Sequence, residues 1–224
     1  MCVVRGFGVA VPLGAGVLSA DGHNGAMKWS RAVHHLEQLA QTCTDMLGTP
    51  PEIYRIHVRQ LWTFGEMLEP EHDVEWVPVA LVVDLPLDEV AWLTEPRGAE
   101  HWANSTRLNR NPFIVRWRSV HAPVWNHEID RPAMFWDADD GVAEPVLAAL
   151  RAGEGSRVRA AAPSATEFGE RMAAELATSL AAVRRCTESY TDKRWKPGKL
   201  TPLGDALWLA SMGYLELLDA TRER

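Results

Sequence analysis

The stretch LWTFGEMLEPEHDVEWVPVALVVDL, Leu61 to Leu85, decides the fold. Just upstream, Ile56, Val58, Trp62 and Phe64 share one parity, the alternation of a half-buried strand, which predicts a strand over Ile56–Phe64. Gly65 breaks that pattern, and the polar run Glu66–His72 reads as a turn. A second strand is expected over Asp73–Asp84. Its segment VPVALVV is almost continuously apolar, as in a central strand buried on both faces, and Pro78 within it marks a bulge or an edge.

Outward from this pair, the pattern on the N-terminal side is helical. Val33, Leu36, Leu39, Cys43 and Leu47 recur at three- and four-residue steps, so a helix is read over Ser30–Leu47 with Ser30 as its cap. Gly48-Thr49-Pro50-Pro51 ends it. On the C-terminal side a short helix over Leu87–Leu93 is followed by an irregular stretch to residue 111. Strands are expected at Phe113–Arg118 and Ala133–Trp136, joined by the loop HAPVWNHEIDRP, and a helix over Gly141–Ala152. In the last third, Ser164-Ala165-Thr166-Glu167 has the form of a capping box. Phe168, Met172, Leu176, Leu180 and Val183 make an apolar stripe behind it. Lys196-Pro197-Gly198-Lys199 breaks the chain, and Thr201-Pro202 opens a final helix. The expected fold is α+β: a mixed central β-sheet with an N-terminal helix and a C-terminal amphipathic helical hairpin. The division is an α+β core over residues 27–160 and a hairpin over 161–224, with 1–26 a leader or an over-extended start.

Composition narrows the function classes. With 23 basic and 30 acidic residues the chain carries −7, which argues against an extended nucleic-acid surface. The short basic groups Arg107/Arg110, Arg116/Arg118 and Lys193-Arg194-Lys196-Lys199 read as solvated edges. Cys2, Cys43 and Cys186 are scattered, with no paired spacing for a disulfide framework or zinc knuckle. No apolar run reaches the roughly 18 residues of a membrane span, so no membrane partner and a cytoplasmic location are expected. Ten tryptophans, five of them between Trp92 and Trp136, read as core or as an interaction surface. His121, His127, Glu128 and Asp130 share one loop, a ligand-capable set on an irregular segment that reads as polar surface.

The chemistry-bearing constellation lies in the deciding stretch itself. Gly65 at a strand end permits close backbone approach by a ligand. Asp73 and Glu75, two apart on a strand, would project from one face. Converging carboxylates beside a glycine turn suit Mg2+, which takes one or two of them and completes its shell with water and phosphate oxygens. Asp84, nine residues beyond Glu75, falls on the other face and about 30 Å away, and is excluded. The competing reading is a hairpin with two solvent-facing acids.

Phe64-Gly65, the spacer and Asp73-Val74-Glu75 resemble the motif of small nucleotidyltransferases of the polymerase-beta type: a glycine turn followed by two acids separated by one apolar residue. The likeness spans residues 30 to 85, with the helical end a looser match. It implies that Gly65 approaches the phosphates, that Asp73 and Glu75 hold Mg2+ with a nucleoside triphosphate, and that Asp137 supplies a third acid. Glu66 departs from the motif's Ser or Gly and would repel a triphosphate. WTFGEML, DVEWVPVALVVDLP, HAPVWNHEIDRPAMFWD and RWKPGKL together also resemble a family of uncharacterised actinobacterial proteins. The functional expectation is Mg2+-dependent nucleotidyl transfer, intact or degenerate. The alternative is a non-catalytic binding or scaffold protein whose Trp-rich centre meets a small molecule, a protein partner or a second copy.

Overall fold

A computed structural model describes residues 25–50 and 52–222, so the expectation for residues 1–26 and for Cys2 lies almost wholly outside the described residues. The chain is a mixed α+β protein: α1 (Trp29–Met46), β1 (Val58–Thr63), β2 (Val77–Val83), α2 (Ala99–Ser105), β3 (Phe113–Ser119), β4 (Ala133–Asp137), β5 (Gly141–Val142), α3 (Glu144–Arg151), α4 (Ala165–Arg194) and α5 (Thr201–Arg222). One five-stranded sheet has the order β3-β2-β1-β4-β5. β1 is antiparallel to both β2 and β4, and β2 runs parallel to β3 from Val77↔Phe113 to Val83↔Ser119.

The parity of β2 organises the layers. Val77, Val79, Leu81 and Val83 join Phe113, Val115 and Trp117 in a core closed by Trp29, Val33, Leu36, Leu39 and Cys43 of α1 and by Leu147 and Leu150 of α3. The even residues Ala80 and Val82 face the other way, into a second core with Phe64, Trp92, Ile129, Met172 of α4 and Leu217 of α5. Helices therefore cover both faces, which explains why all seven residues of β2 are buried and apolar. Pro78 stands one residue before the β1 pairing begins opposite Val79, so β2 is an edge strand on that side at that point.

Several expectations are corrected. The second strand starts at Val77 rather than Asp73. Val74 instead pairs with Met27 in an isolated antiparallel bridge, which fixes the segment before β2 without extending the sheet. Leu87–Leu93 is only a 3-10 turn over Leu87–Glu89, because Leu93 adopts φ 58° and the chain turns away. Gly141–Ala152 divides into β5 and α3, with Pro145 in the first turn of the helix. α1 starts at Trp29, and its capping residue is Lys28, which makes no side-chain cap.

The capping box forms as read: the Ser164 hydroxyl accepts from the Glu167 amide at 3.2 Å, and the Glu167 carboxylate accepts from the Ser164 amide at 2.8 Å. α4 begins near the Thr63 end of the sheet, where the Ala160 amide donates to the Pro132 carbonyl. It runs to the opposite end, where Arg185 donates to the Asp88 carbonyl beyond β2. From Val183 to Leu209 no residue is buried, so the far end of the α4–α5 hairpin projects beyond the sheet.

Candidate functional site

Of the residues expected to hold metal and nucleotide, Gly65, Asp73 and Glu75 lie toward the Thr63 end of the sheet and Asp137 lies apart from them. Gly65 opens a 3-10 turn over Gly65–Leu68 with φ 57°, a conformation that accounts for glycine there without a ligand. Asp73 and Glu75 are exposed, lie off the sheet, and carry no side-chain partner among the described residues. Asp137 is paired with Gln60, toward the opposite end of β1 from Thr63 and Gly65. Its carboxylate closes the β4–β5 turn by accepting from the Asp139 amide at 2.8 Å, and it accepts from the Gln60 side chain at 2.9 Å. Partial burial opposes its ionisation, but these donors together with Arg59 hold it below the usual carboxylate range. Among the described residues no group of three or more His, Cys, Asp or Glu is placed to hold a metal ion.

The sheet face beside Gly65 is instead sealed by the hairpin. Arg116 and Arg118 of β3 stand in register with Ala80 and Val82, which face α4 and α5. Their guanidinium carbons lie 5.5 and 5.4 Å from the centre of the buried Trp92 ring. Arg116 makes a two-pronged pair with Glu128 at 2.8 and 3.1 Å. Arg118 pairs with Glu175 of α4, which also meets Arg171 at 2.5 Å and accepts from Asn126 at 3.1 Å. Burial penalises the Glu175 carboxylate, yet Arg118, Arg171 and Asn126 outweigh it and hold the group below its ordinary 4.5. Glu216 of α5 accepts from Trp92 at 3.1 Å and meets His127 at 2.8 Å, and is likewise held low despite burial. The loop set His121, His127, Glu128 and Asp130 is thus divided, with His127 and Glu128 serving this network.

A concavity lies at the other end of the sheet. A cavity of about 310 Å3 opens between the end of α1, the segment before β1, and Asp84 just past β2. Met46, Tyr54, Ile56 and Trp102 form apolar walls, and His57, Arg59 and Asp84 stand among the lining residues with side chains for polar contact. Tyr54 is braced by His101, ring centroids 5.1 Å apart. Arg59 is held at 2.9 Å by Asp139 on the open surface, a pair that solvent screening leaves weak enough for a ligand to displace. Cys43 is buried in the wall, and burial pushes its thiol far above the range in which it would ionise, so it contributes surface and not a nucleophile. Sequence reading missed this site because its residues come from four separated segments, none with a motif. The irregular stretch holding Trp102 and the strand end at Asp84 were its available signals.

The Trp-rich centre is core. Trp92, Trp102, Trp117 and Trp136 are buried, and Trp125 is half-buried. The tryptophans that face solvent are Trp195 and Trp208, at the projecting end of the hairpin. No helix among the described residues is long and apolar enough to cross a membrane.

A family model described as "Domain of unknown function (DUF7711)" matches residues 27–223, and the chain belongs to that family. No curated protein and no solved structure matches it.

Proposed function

We propose that this member of the DUF7711 family is a non-catalytic binding protein on a nucleotidyltransferase-like scaffold, which takes a small flat molecule into the cavity beside Tyr54 and Trp102. The scaffold reading rests on the glycine turn between antiparallel β1 and β2 and on the parallel step from β2 to β3. One observation carries the functional reading. The cavity lies at the Val58–Val83 end of the sheet, whereas Gly65, Asp73 and Glu75 lie at the Thr63–Val77 end. The strand after Gly65 holds no carboxylate, and its inner face is covered by α4 and α5. Magnesium-dependent nucleotidyl transfer would need acids on that strand facing an open cleft.

The cavity is at the small end of the range that encloses ligands, about 300 to 1,000 Å3. Its walls suit an aromatic body. Arg59 with His57 can donate and Asp84 can accept, which selects a heteroaromatic edge bearing both acceptor and donor groups. Free nucleosides are the natural probes. At 100 times its dissociation constant a bound nucleoside adds about 2.7 kcal/mol, roughly 5–11 °C in Tm for a chain of this size. The expected result is stabilisation by at least one nucleoside without Mg2+, lost in Tyr54→Ala and kept in Asp73→Ala/Glu75→Ala. Stabilisation seen only with a nucleoside triphosphate and Mg2+, and lost in Asp73→Ala/Glu75→Ala, would restore the transferase reading.

A further inference from the structure

We propose, resting on the cavity reading above, that the molecule taken beside Tyr54 carries an anionic group, a carboxylate or a phosphate, which grips the Arg59 guanidinium by displacing Asp139. Strand geometry aims the arginine. Neighbouring residues of a strand ordinarily face opposite sides, yet Val58 and Arg59 both line the cavity. The register of β1 explains this: Val58 pairs with Val83 and Gln60 with Val82, so Arg59 is the extra residue of a β-bulge. The Arg59 carbonyl accepts from the Ala138 amide at 2.8 Å, which ties the bulge to the β4–β5 turn and sets Asp139 within reach of the side chain. Arg59 is the one Arg or Lys among the described lining residues.

A guanidinium grips a carboxylate or phosphate best with two nitrogens side by side. Asp139 uses one nitrogen alone, its two oxygens lying 3.1 and 2.9 Å from Nη2. Nε and Nη1 donate to nothing among the described residues. Either paired edge, Nε with Nη2 or Nη1 with Nη2, includes the nitrogen that Asp139 occupies, so a two-pronged anion has to displace it. Asp139 is free to leave. Its side chain is 77% exposed and that of Arg59 40%, and an exposed pair holds weakly. The turn survives its departure, because the Asp139 amide, not its carboxylate, is bonded to Asp137. Asp137, the other acid that feels Arg59, is committed to the Gln60 side chain and the turn amide. A neutral acceptor would take an idle hydrogen and leave Asp139 in place, whereas an anion replaces what the guanidinium gives up. Asp84, the acid of the lining, repels an anion beside it, so the charged group belongs at Arg59 and the donor edge of the aromatic body at Asp84.

Calorimetric titration of the full chain with two matched pairs tests this: adenosine against adenosine monophosphate, and indole against indole-3-carboxylate. At least one anion should bind about tenfold or more tighter than its neutral parent, the scale of a charge-assisted hydrogen bond. Which pair shows the gain tells a phosphate from a carboxylate ligand. Arg59→Gln should abolish the gain. Asp139→Asn, which keeps the turn amide, should tighten the anion about two- to fivefold, the worth of an exposed pair, and leave the neutral parent unchanged. In the Arg59→Gln background Asp139→Asn should change nothing, because the competitor then has nothing to compete for. A neutral parent bound as tightly as its anion, or an anion indifferent to Asp139→Asn, would overturn the anion assignment and leave the cavity reading standing. Binding by none of the four probes, or binding unaffected by Tyr54→Ala, would overturn the cavity reading and this inference with it.

Discussion

At the scale of single residues, the contrast between Glu175 and the Asp73/Glu75 pair separates structure from surface. Removing Glu175 leaves Arg118, only 3% exposed at its side chain, as an uncompensated buried charge beside Arg171. Breaking such a pair costs about 3–5 kcal/mol, so Glu175→Ala should lower Tm by roughly 6–20 °C. Asp73→Ala and Glu75→Ala, by contrast, should stay within about 0.5 kcal/mol of the parent. The pH dependence has a definite sign. A carboxylate held below its ordinary 4.5 in the folded state gives a stabilisation that is complete above that value and is lost as pH falls through the lower folded one. Denaturant titrations from pH 7 to 3 should show the parent losing more stability than Glu175→Gln, and parallel curves would refute the role assigned to Glu175. The sequence was read with Arg116 and Arg118 as a solvated edge and His127 and Glu128 as polar surface, and the burial of both arginines corrects the first reading. Glu175 lies fifty-seven residues from Arg118, and the stripe read on α4 placed Leu176 and Leu180 inward where Glu175 and Ser179 are buried.

At the scale of elements, what was legible was what local chemistry dictates. The Ser164 capping box, the Thr201 start, the apolar face of α1 and the four longer strands are each specified by residues within a few positions of one another. α2 was not legible, since its seven residues span too little to establish a stripe and Gly98 opens it at φ 104°. The start of β2 was misplaced because Asp73-Val74-Glu75 alternates like a strand, although Val74 alone finds a pairing partner. The docking of α5 depends on Gly213 in a way the sequence did not announce. A Cβ there would overlap the Trp92 carbonyl oxygen, with the carbonyl carbon at 2.9 Å and Leu93 Cβ at 3.3 Å. Backbone cannot swing aside as a side chain can, so Gly213→Ala should cost about 1–3 kcal/mol. Hydrogen exchange in α5 around Ala210 and Leu217 should quicken more than in β2. Unchanged protection in α5 would mean that the close approach at Trp92 does not fix the helix.

At the scale of the whole molecule, three features sit at distinct places along the sheet axis: the acidic stretch at one end, the cavity at the other, and the basic tip beyond it. This arrangement could not be read from the sequence, because it depends on the direction in which α4 crosses the sheet face, and Arg185 meeting the Asp88 carbonyl is a contact over ninety-seven residues. The same geometry makes the tip separable from the fold. With no buried residue between Val183 and Leu209, the tip adds little to the core, and its helices hold each other through half-buried contacts such as Tyr190 against Gly204. Deleting residues 188–207 and joining Thr187 to Trp208 through a short Gly-Asn turn removes the basic cluster and Trp195 but keeps Met172, Glu175, Ala210 and Leu217. Such a chain should unfold cooperatively, with Tm within a few degrees of the parent, because stability follows buried contacts and local regions that lack them open independently. It should keep any ligand bound in the cavity near Tyr54, which lies on the opposite face of the sheet from the hairpin. A collapse of Tm on this deletion would show that the hairpin folds as one unit with the core and that its projecting end is structural, whatever it also binds.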